Sequence, residues 1–145
     1  MVNAPRIGVV TSRFNEEITE KLEKGAIDFL AEKGIKAFSV RVPGAVEIPL
    51  AAKLLLENGY DGVVACGAVI RGETSHYEVV CQSVERGITH LMLATGKPVG
   101  FGVITTENEE QAFERAGGKW GNKGAEAAGV VLEMLNLKAQ IKKIT

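Results

Sequence analysis

Short runs of apolar residues alternate along the chain with longer segments in which apolar residues recur every three or four positions. Short apolar runs predict buried strands, and the longer spacing predicts helices with one apolar face. We predict strands at residues 6–11, 37–42, 62–70 and 98–105. One helix is predicted after each of the first three strands and two after the fourth, so the predicted order is βαβαβαβαα.

Residues with capping or helix-ending chemistry bound these helices. Asn15 and Asn108 are predicted caps, because an asparagine side chain can accept a hydrogen bond from a free amide of the first turn. Gly34 and Gly59 are predicted helix ends, since glycine tolerates the left-handed conformation required there. We expect the glycine pair at residues 117–118 to separate the last two helices.

Strands that alternate with helices predict a parallel sheet with right-handed crossovers and helices on both faces. The predicted fold class is α/β: a three-layer, doubly wound (flavodoxin-like) fold with a four-stranded parallel sheet. The length, together with the lack of repeats and linkers, predicts a single domain over residues 1–145.

Charge and composition exclude several classes of function. The net charge of −1, with no basic stripe, argues against nucleic-acid binding. No apolar stretch approaches the roughly 18 residues of a membrane span, and the N-terminus does not resemble a signal peptide. Cys66 and Cys81 lack Cys-x-x-Cys spacing, so we expect two buried free thiols in a reducing cytoplasm.

Unusual residues occupy the loops that follow the predicted strands. In doubly wound folds, ligands bind beyond the carboxyl ends of the strands. The four loops here are residues 12–17, 43–49, 71–76 and 105–110. They contain an aromatic residue beside a cation, a Pro-Gly turn before a glutamate, and one of the two histidines. We therefore predict the functional site at this edge of the sheet.

The common nucleotide and metal signatures do not fit. No Gly-x-Gly-x-x-Gly follows the first strand, and Pro98 stands where a phosphate loop needs Ser or Thr after Gly96-Lys97. The histidines and acids lack the spacing of metal ligands, so we predict no metal.

Three loop residues each have a functional and a structural interpretation. His76 can transfer protons at neutral pH, or it can be a surface residue at a helix start. Phe14 is either a plug over the core or a stacking platform for a planar ligand. Glu47 either complements a helix dipole or accepts hydrogen bonds from a ligand.

The segment at residues 114–126 combines Arg115, Lys119 and Lys123 with several glycines before a helix start. It is either an anion site or a solvated helix break. Trp120 can pack beneath it, and Lys123 and Glu126 can pair on the helix.

Five motifs resemble, in order, those of the 6,7-dimethyl-8-ribityllumazine synthase family: SRFN, VPGAVEIPLAAK, IRGETSHYE, FGVIT and ERAGGKWGNKGAEAA. The resemblance implies a transferase of riboflavin biosynthesis that needs no metal or redox cofactor. Such an enzyme condenses 5-amino-6-(D-ribitylamino)uracil with 3,4-dihydroxy-2-butanone 4-phosphate and releases phosphate and water.

The resemblance also implies residue roles. His76 would move protons, and Arg115 would act with Glu73 and Thr74 on the phosphate. The residues expected to hold the pyrimidine and ribityl chain are Phe14, Ala45, Val46, Glu47, Ala68, Val69, Ile70 and Phe101. Lys119, Lys123 and Glu126 would support the site. Val46 stands where many relatives have an aromatic residue, which alters the expected pocket shape.

An oligomer with a shared site is a further implication. The family forms homopentamers and often shells of sixty subunits, with Phe101 and Arg115 supplied by a neighbouring subunit. We expect the pentamer, with the icosahedral shell and an enclosed riboflavin synthase as larger possibilities. Residues 1–5 are too few to pair fully with a neighbour's sheet, as a longer N-terminal segment does in some relatives.

Two rival hypotheses belong to other classes. A flavodoxin-like FMN carrier would need a first loop rich in Ser and Thr, which TSRFNEE is not. A cage-forming scaffold with decayed activity would not need His76, Arg115 and Glu47 intact.

Overall fold

Four parallel strands form the centre of the computed structural model, which describes residues 4–144. The strands are β1 (Ile7–Ser12), β2 (Phe38–Val42), β3 (Gly62–Ile70) and β4 (Val99–Thr106), and they lie in the order β2-β1-β3-β4. The helices are α1 (Glu16–Glu32), α2 (Ile48–Glu57), α3 (His76–Thr95), α4 (Glu109–Glu114) and α5 (Lys123–Ile144). The predicted α/β fold and its parallel sheet are confirmed.

Helices cover both faces of the sheet because side chains alternate along each strand. Ile7 and Val9 of β1 pack with α1 and α5, whereas Val10 packs with α2 and α3 on the opposite face. β3 is buried on both faces almost throughout, as expected of a central parallel strand. The rigid centre of the fold therefore ends at the loops that follow β1 and β3.

The helix ends follow the predictions at three of four positions. The side chain of Asn108 accepts a hydrogen bond from the amide of Gln111, and Gly34 and Gly59 have φ angles of 78° and 90°. The predicted cap at Asn15 is wrong, since its side chain makes no capping hydrogen bond. Asn15 is left-handed, with φ of 62°, and its carbonyl accepts from the first turn of α1 instead.

Two regions contain elements that the periodicity does not predict. A 3-10 turn at Ala45–Glu47 precedes α2. The predicted break at residues 117–118 lies in a hairpin formed by β5 (Ala116–Gly118) and β6 (Gly121–Asn122). This hairpin begins immediately after Arg115 and ends where α5 starts.

Both cysteines are free thiols, as predicted, with Cys66 buried and Cys81 half-buried. Burial raises the pKa of Cys66 to about 12. Among the described residues, no helix has the length and apolar character that a membrane span requires. Residues 1–5 were expected to be too few to pair fully with a neighbour's sheet. Most of them lie outside the described residues, which begin at residue 4.

Candidate functional site

A cleft of about 350 Å³ opens at the carboxyl ends of β1 and β3. It brings together nine of the predicted site residues: Phe14, Ala45, Val46, Glu47, Ala68, Val69, Ile70, Thr74 and His76. The chain moves from β1 to β2 on one side and crosses back to β3 on the other. Such a reversal of strand order leaves a crevice, and the loops that follow β1, β2 and β3 line it.

Phe14 stands at the rim of this cleft with 72% of its surface exposed. The amide of Arg13 donates to the carbonyl of Val42, and the left-handed Asn15 turns the chain directly afterwards. The hydrogen bond and the turn hold the loop after β1 against β2, while the Phe14 ring projects outwards. This exposure rejects the core-plug interpretation and fits a stacking platform.

Glu47 is the last residue of the 3-10 turn and also lies at the cleft. Its Oε1 accepts a hydrogen bond from the backbone amide of Gly44 at 2.9 Å. The carboxylate is therefore fixed by its own turn while it faces the same space as Phe14. A fixed carboxylate can accept hydrogen bonds from the hydroxyls of a ligand at little further cost in conformational entropy.

His76 is the first residue of α3, and it is exposed to the cleft. Its backbone amide donates to the side-chain hydroxyl of Thr74 at 3.3 Å. Glu73 belongs to the same loop but does not line the cleft. The imidazole is thus within a partly apolar crevice with Thr74 beside it, where it can exchange protons with a bound molecule.

A second cavity, of about 460 Å³, lies along the free edge of β4. Four predicted site residues line it: Phe101, Arg115, Lys123 and Glu126. Two cations and a carboxylate beside an aromatic ring suit an anionic ligand that also carries apolar or planar parts.

The hairpin between α4 and α5 positions the polar wall of this cavity. Arg115 donates from Nη1 to the carbonyl of Gln111 at 2.9 Å, and its own carbonyl accepts from the amide of Lys123 at 2.8 Å. Lys119 does not line the cavity, and its ammonium lies 5.3 Å from the centre of the Trp120 ring. The segment therefore forms a hairpin between the two helices, and its residues 117–121 are exposed to solvent.

Within one chain, the predicted site residues form two separate sets. Phe101 and Arg115 line the second cavity, and neither lines the cleft that contains His76. No group of three His, Cys, Asp or Glu side chains among residues 4–144 is arranged to hold a metal ion.

Several lining residues were not predicted from the sequence. Gly44, Gly72, Tyr77 and Val80 line the cleft, and Val103, Ile104, Thr105 and Trp120 line the second cavity. Trp120 is 59% exposed, so the expectation that it packs beneath the turn is wrong. The sequence signal for Val103 and Thr105 was available, because alternate residues of a strand share the face of Phe101.

Comparisons with known proteins identify the family of the chain. The family model described as 6,7-dimethyl-8-ribityllumazine synthase matches residues 4–139. A Bdellovibrio bacteriovorus protein named 6,7-dimethyl-8-ribityllumazine synthase is 61% identical over 137 residues. That alignment covers 94% of this chain and 76% of the relative. The FMN-carrier and scaffold hypotheses are not favoured by these matches. The chain belongs to the 6,7-dimethyl-8-ribityllumazine synthase family, whose members are transferases of riboflavin biosynthesis.

Proposed function

We propose that the chain condenses 5-amino-6-(D-ribitylamino)uracil with 3,4-dihydroxy-2-butanone 4-phosphate at a site completed by two subunits. The main support for this activity is the cleft, which groups Phe14, Glu47 and His76 at the carboxyl edge of the sheet. Phe14 stacks on the pyrimidine, and the backbone of the segment 68–70 reads its edge. The Ala45–Glu47 turn holds the ribityl chain, with Glu47 accepting from its hydroxyls.

The phosphate of the second substrate is bound by Glu73-Thr74 and by Arg115. A planar guanidinium can donate two parallel hydrogen bonds to a phosphate, which suits Arg115 for this role. The phosphate leaves during the reaction, so a cation there also stabilises the charge of the leaving group. Phe101, Lys123 and Glu126 complete this half of the site. Lys119 supports it from outside the cavity.

The reaction needs proton transfers at several steps. The 5-amine attacks the ketone, and loss of water gives an imine. Proton removal next to the imine then expels phosphate, and the ribitylamino nitrogen closes the ring with loss of a second water. His76 lines the cleft, and an imidazole can both accept and return a proton. A positioned acid–base contributes about 10²–10⁴-fold, so the rest of the rate comes from holding the substrates together.

Two surfaces of the chain support a ring-shaped oligomer. The cleft and the second cavity are different surfaces, so a contact between the cleft of one subunit and the cavity of its neighbour is head-to-tail. Repeated contacts of this kind form a ring when the rotation between neighbours closes. Large apolar side chains are exposed on α2 and α5, including Leu50, Leu54 and Met134. Such exposure is typical of subunit interfaces. We propose a cytoplasmic homopentamer, with the sixty-subunit shell and an enclosed riboflavin synthase as larger assemblies.

The direct test mixes both substrates with the purified protein. Lumazine fluorescence and released phosphate should rise together, well above the uncatalysed rate. If neither signal exceeds that rate, the proposed activity is wrong.

A further inference from the structure

Arg71 joins three segments that meet beside the cleft. It is the first residue after β3, and its amide donates to the carbonyl of Thr106 at the end of β4. Its side chain contacts Glu107 just beyond β4, with 2.6 Å between Nε and Oε2. The same guanidinium forms an ion pair with Glu78 and lies 4.3 Å from the centre of the Tyr77 ring.

These contacts end on the first turn of α3. Tyr77 and Glu78 follow His76 directly, so Arg71 connects the turn that carries His76 to the ends of β3 and β4. His76 is itself held at its amide by the hydroxyl of Thr74, at a rather long 3.3 Å. Oε2 of Glu78 is buried and accepts no hydrogen bond from the described residues, so Oε1 makes the ion pair of this carboxylate with Arg71.

The contacts of Arg71 are expected to affect the position of the first turn of α3 more than the folding stability of the protein. The carboxylates of Glu78 and Glu107 are partly exposed, and ion pairs of that kind contribute little to folding. A planar guanidinium, however, can serve two carboxylates and stack on a ring at the same time. Lysine keeps the charge but cannot reproduce that arrangement.

We propose that Arg71 is a positioning residue, which holds the first turn of α3 so that His76 faces the bound substrates. The inference rests on the proposed function, because it concerns the proton transfers assigned to His76. Arg71 itself does not line the cleft.

The test is a double-mutant cycle between Arg71 and His76. In the otherwise unchanged protein, Arg71→Met should lower kcat on the order of tenfold, because small misplacements of a catalytic group are costly. KM for both substrates should change by less than about twofold, since binding residues are untouched. In a His76→Ala background, the same change should lower kcat by less than about twofold, because the positioned group is missing.

Arg71→Lys and Glu107→Gln should also lower kcat, by smaller factors. These two variants replace Arg71→Met in the test if Arg71→Met folds poorly. Arg6→Met is the matched control. Arg6 lies 4.4 Å from the Tyr60 ring centre, a similar stack at the opposite end of the sheet. Arg6→Met should leave kcat unchanged.

The possible results distinguish a failure of the proposed activity from a failure of the positioning role of Arg71. An inactive unmodified protein contradicts the proposed function. An active protein in which Arg71→Met lowers kcat equally with and without His76 contradicts only the positioning role. An unchanged kcat in Arg71→Met, with or without a change in melting temperature, also contradicts it.

Discussion

The carboxylate of Glu47 accepts a hydrogen bond from the backbone amide of Gly44, three residues earlier, with 2.9 Å between the amide nitrogen and Oε1. Gly44 has extended backbone angles, φ −144° and ψ 178°, which aim its amide at that oxygen. The side chain is thus held at the cleft before any ligand binds. Preorganisation of this kind favours binding, because less conformational freedom is lost in the complex.

Glu47→Gln should therefore weaken binding of the pyrimidine substrate more than it slows chemistry. An amide oxygen can still accept from Gly44, but hydrogen bonds from ribityl hydroxyls to a neutral group are weaker than those to a carboxylate. We expect KM for that substrate to rise about tenfold, a loss of roughly 1.4 kcal/mol, with kcat within about threefold. Steady-state kinetics with each substrate varied in turn would measure both KM and kcat. A large fall in kcat at constant KM would contradict the ribityl-binding role.

Mixed oligomers offer a test of the shared site. His76→Ala lacks the group in the cleft, and Arg115→Ala lacks the cation in the second cavity. If a site combines the cleft of one subunit with the cavity of its neighbour, co-refolding the two impaired variants restores sites that are complete. Random mixing in equal amounts should return about a quarter of the sites in a head-to-tail ring.

The control for this experiment mixes the same variants without unfolding them, which should restore no activity as long as subunits do not exchange. A co-refolded mixture no more active than either variant alone would show that each site is built within one subunit.

The fold was predictable because its signals are local and repeated. Apolar runs and helical spacing define β1 to β4 and their helices, and the ends of parallel strands meet at one edge. That rule alone placed Phe14, Glu47 and His76 near each other, and the structure groups them in one cleft. The roles of these three side chains did not follow from position alone, because each of them also had a structural interpretation.

The missed features lie in short irregular segments and in contacts between residues that are distant in sequence. The strands of the β5–β6 hairpin contain three and two residues, too short for any periodicity to reveal. Asn15 has the residue type of a helix cap, but the turn after β1 imposes a left-handed backbone there. Arg71 gave no sequence signal, since Glu78 and Glu107 approach it only through the packing of α3 and β4.

Glu23 provides a pH-dependent prediction. This carboxylate is 8% exposed and accepts from Ser39 and Arg41 of β2, at 2.8 Å in each case. Burial alone would raise the pKa of Glu23, but the hydrogen bonds from Arg41 and Ser39 outweigh it, and the pKa is lowered. A lowered pKa means that the stabilisation is present above the ordinary value of 4.5 and is lost as the pH falls through the native value.

Glu23→Gln should reduce the free energy of unfolding by about 1–3 kcal/mol at pH 7, from weakened hydrogen bonds to a charged group. The difference from the unmodified protein should shrink as the pH drops below the ordinary value. Glu20→Gln is the matched control: Glu20 lies 3.4 Å from the same Arg41 but is largely exposed, so its effect should stay within about 0.5 kcal/mol. Urea unfolding at several pH values, at one protein concentration, would measure both. A Glu23→Gln difference that is equally large at pH 3 would contradict the assignment.

Gly124 and Gly129 occupy the same helix, α5, and should respond oppositely to alanine. A Cβ at Gly124 would lie 2.0 Å from the carbonyl oxygen of Leu22, so the substitution must push α5 away from α1. At Gly129 the nearest atom is 3.5 Å away in the Phe29 ring, an ordinary contact. Gly124→Ala should therefore destabilise the protein by about 1–3 kcal/mol through overpacking.

Gly129→Ala should stabilise it by about 0.5–1 kcal/mol, because alanine is the better helix former. Urea unfolding at a fixed protein concentration compares the two, since subunit association also contributes to apparent stability. The β5–β6 hairpin follows Arg115 and leads into the first turn of α5, which contains Gly124. A displacement of α5 by Gly124→Ala should therefore also lower activity with the phosphorylated substrate. Equal effects of the two substitutions would mean that α1 and α5 are not in the close contact described here.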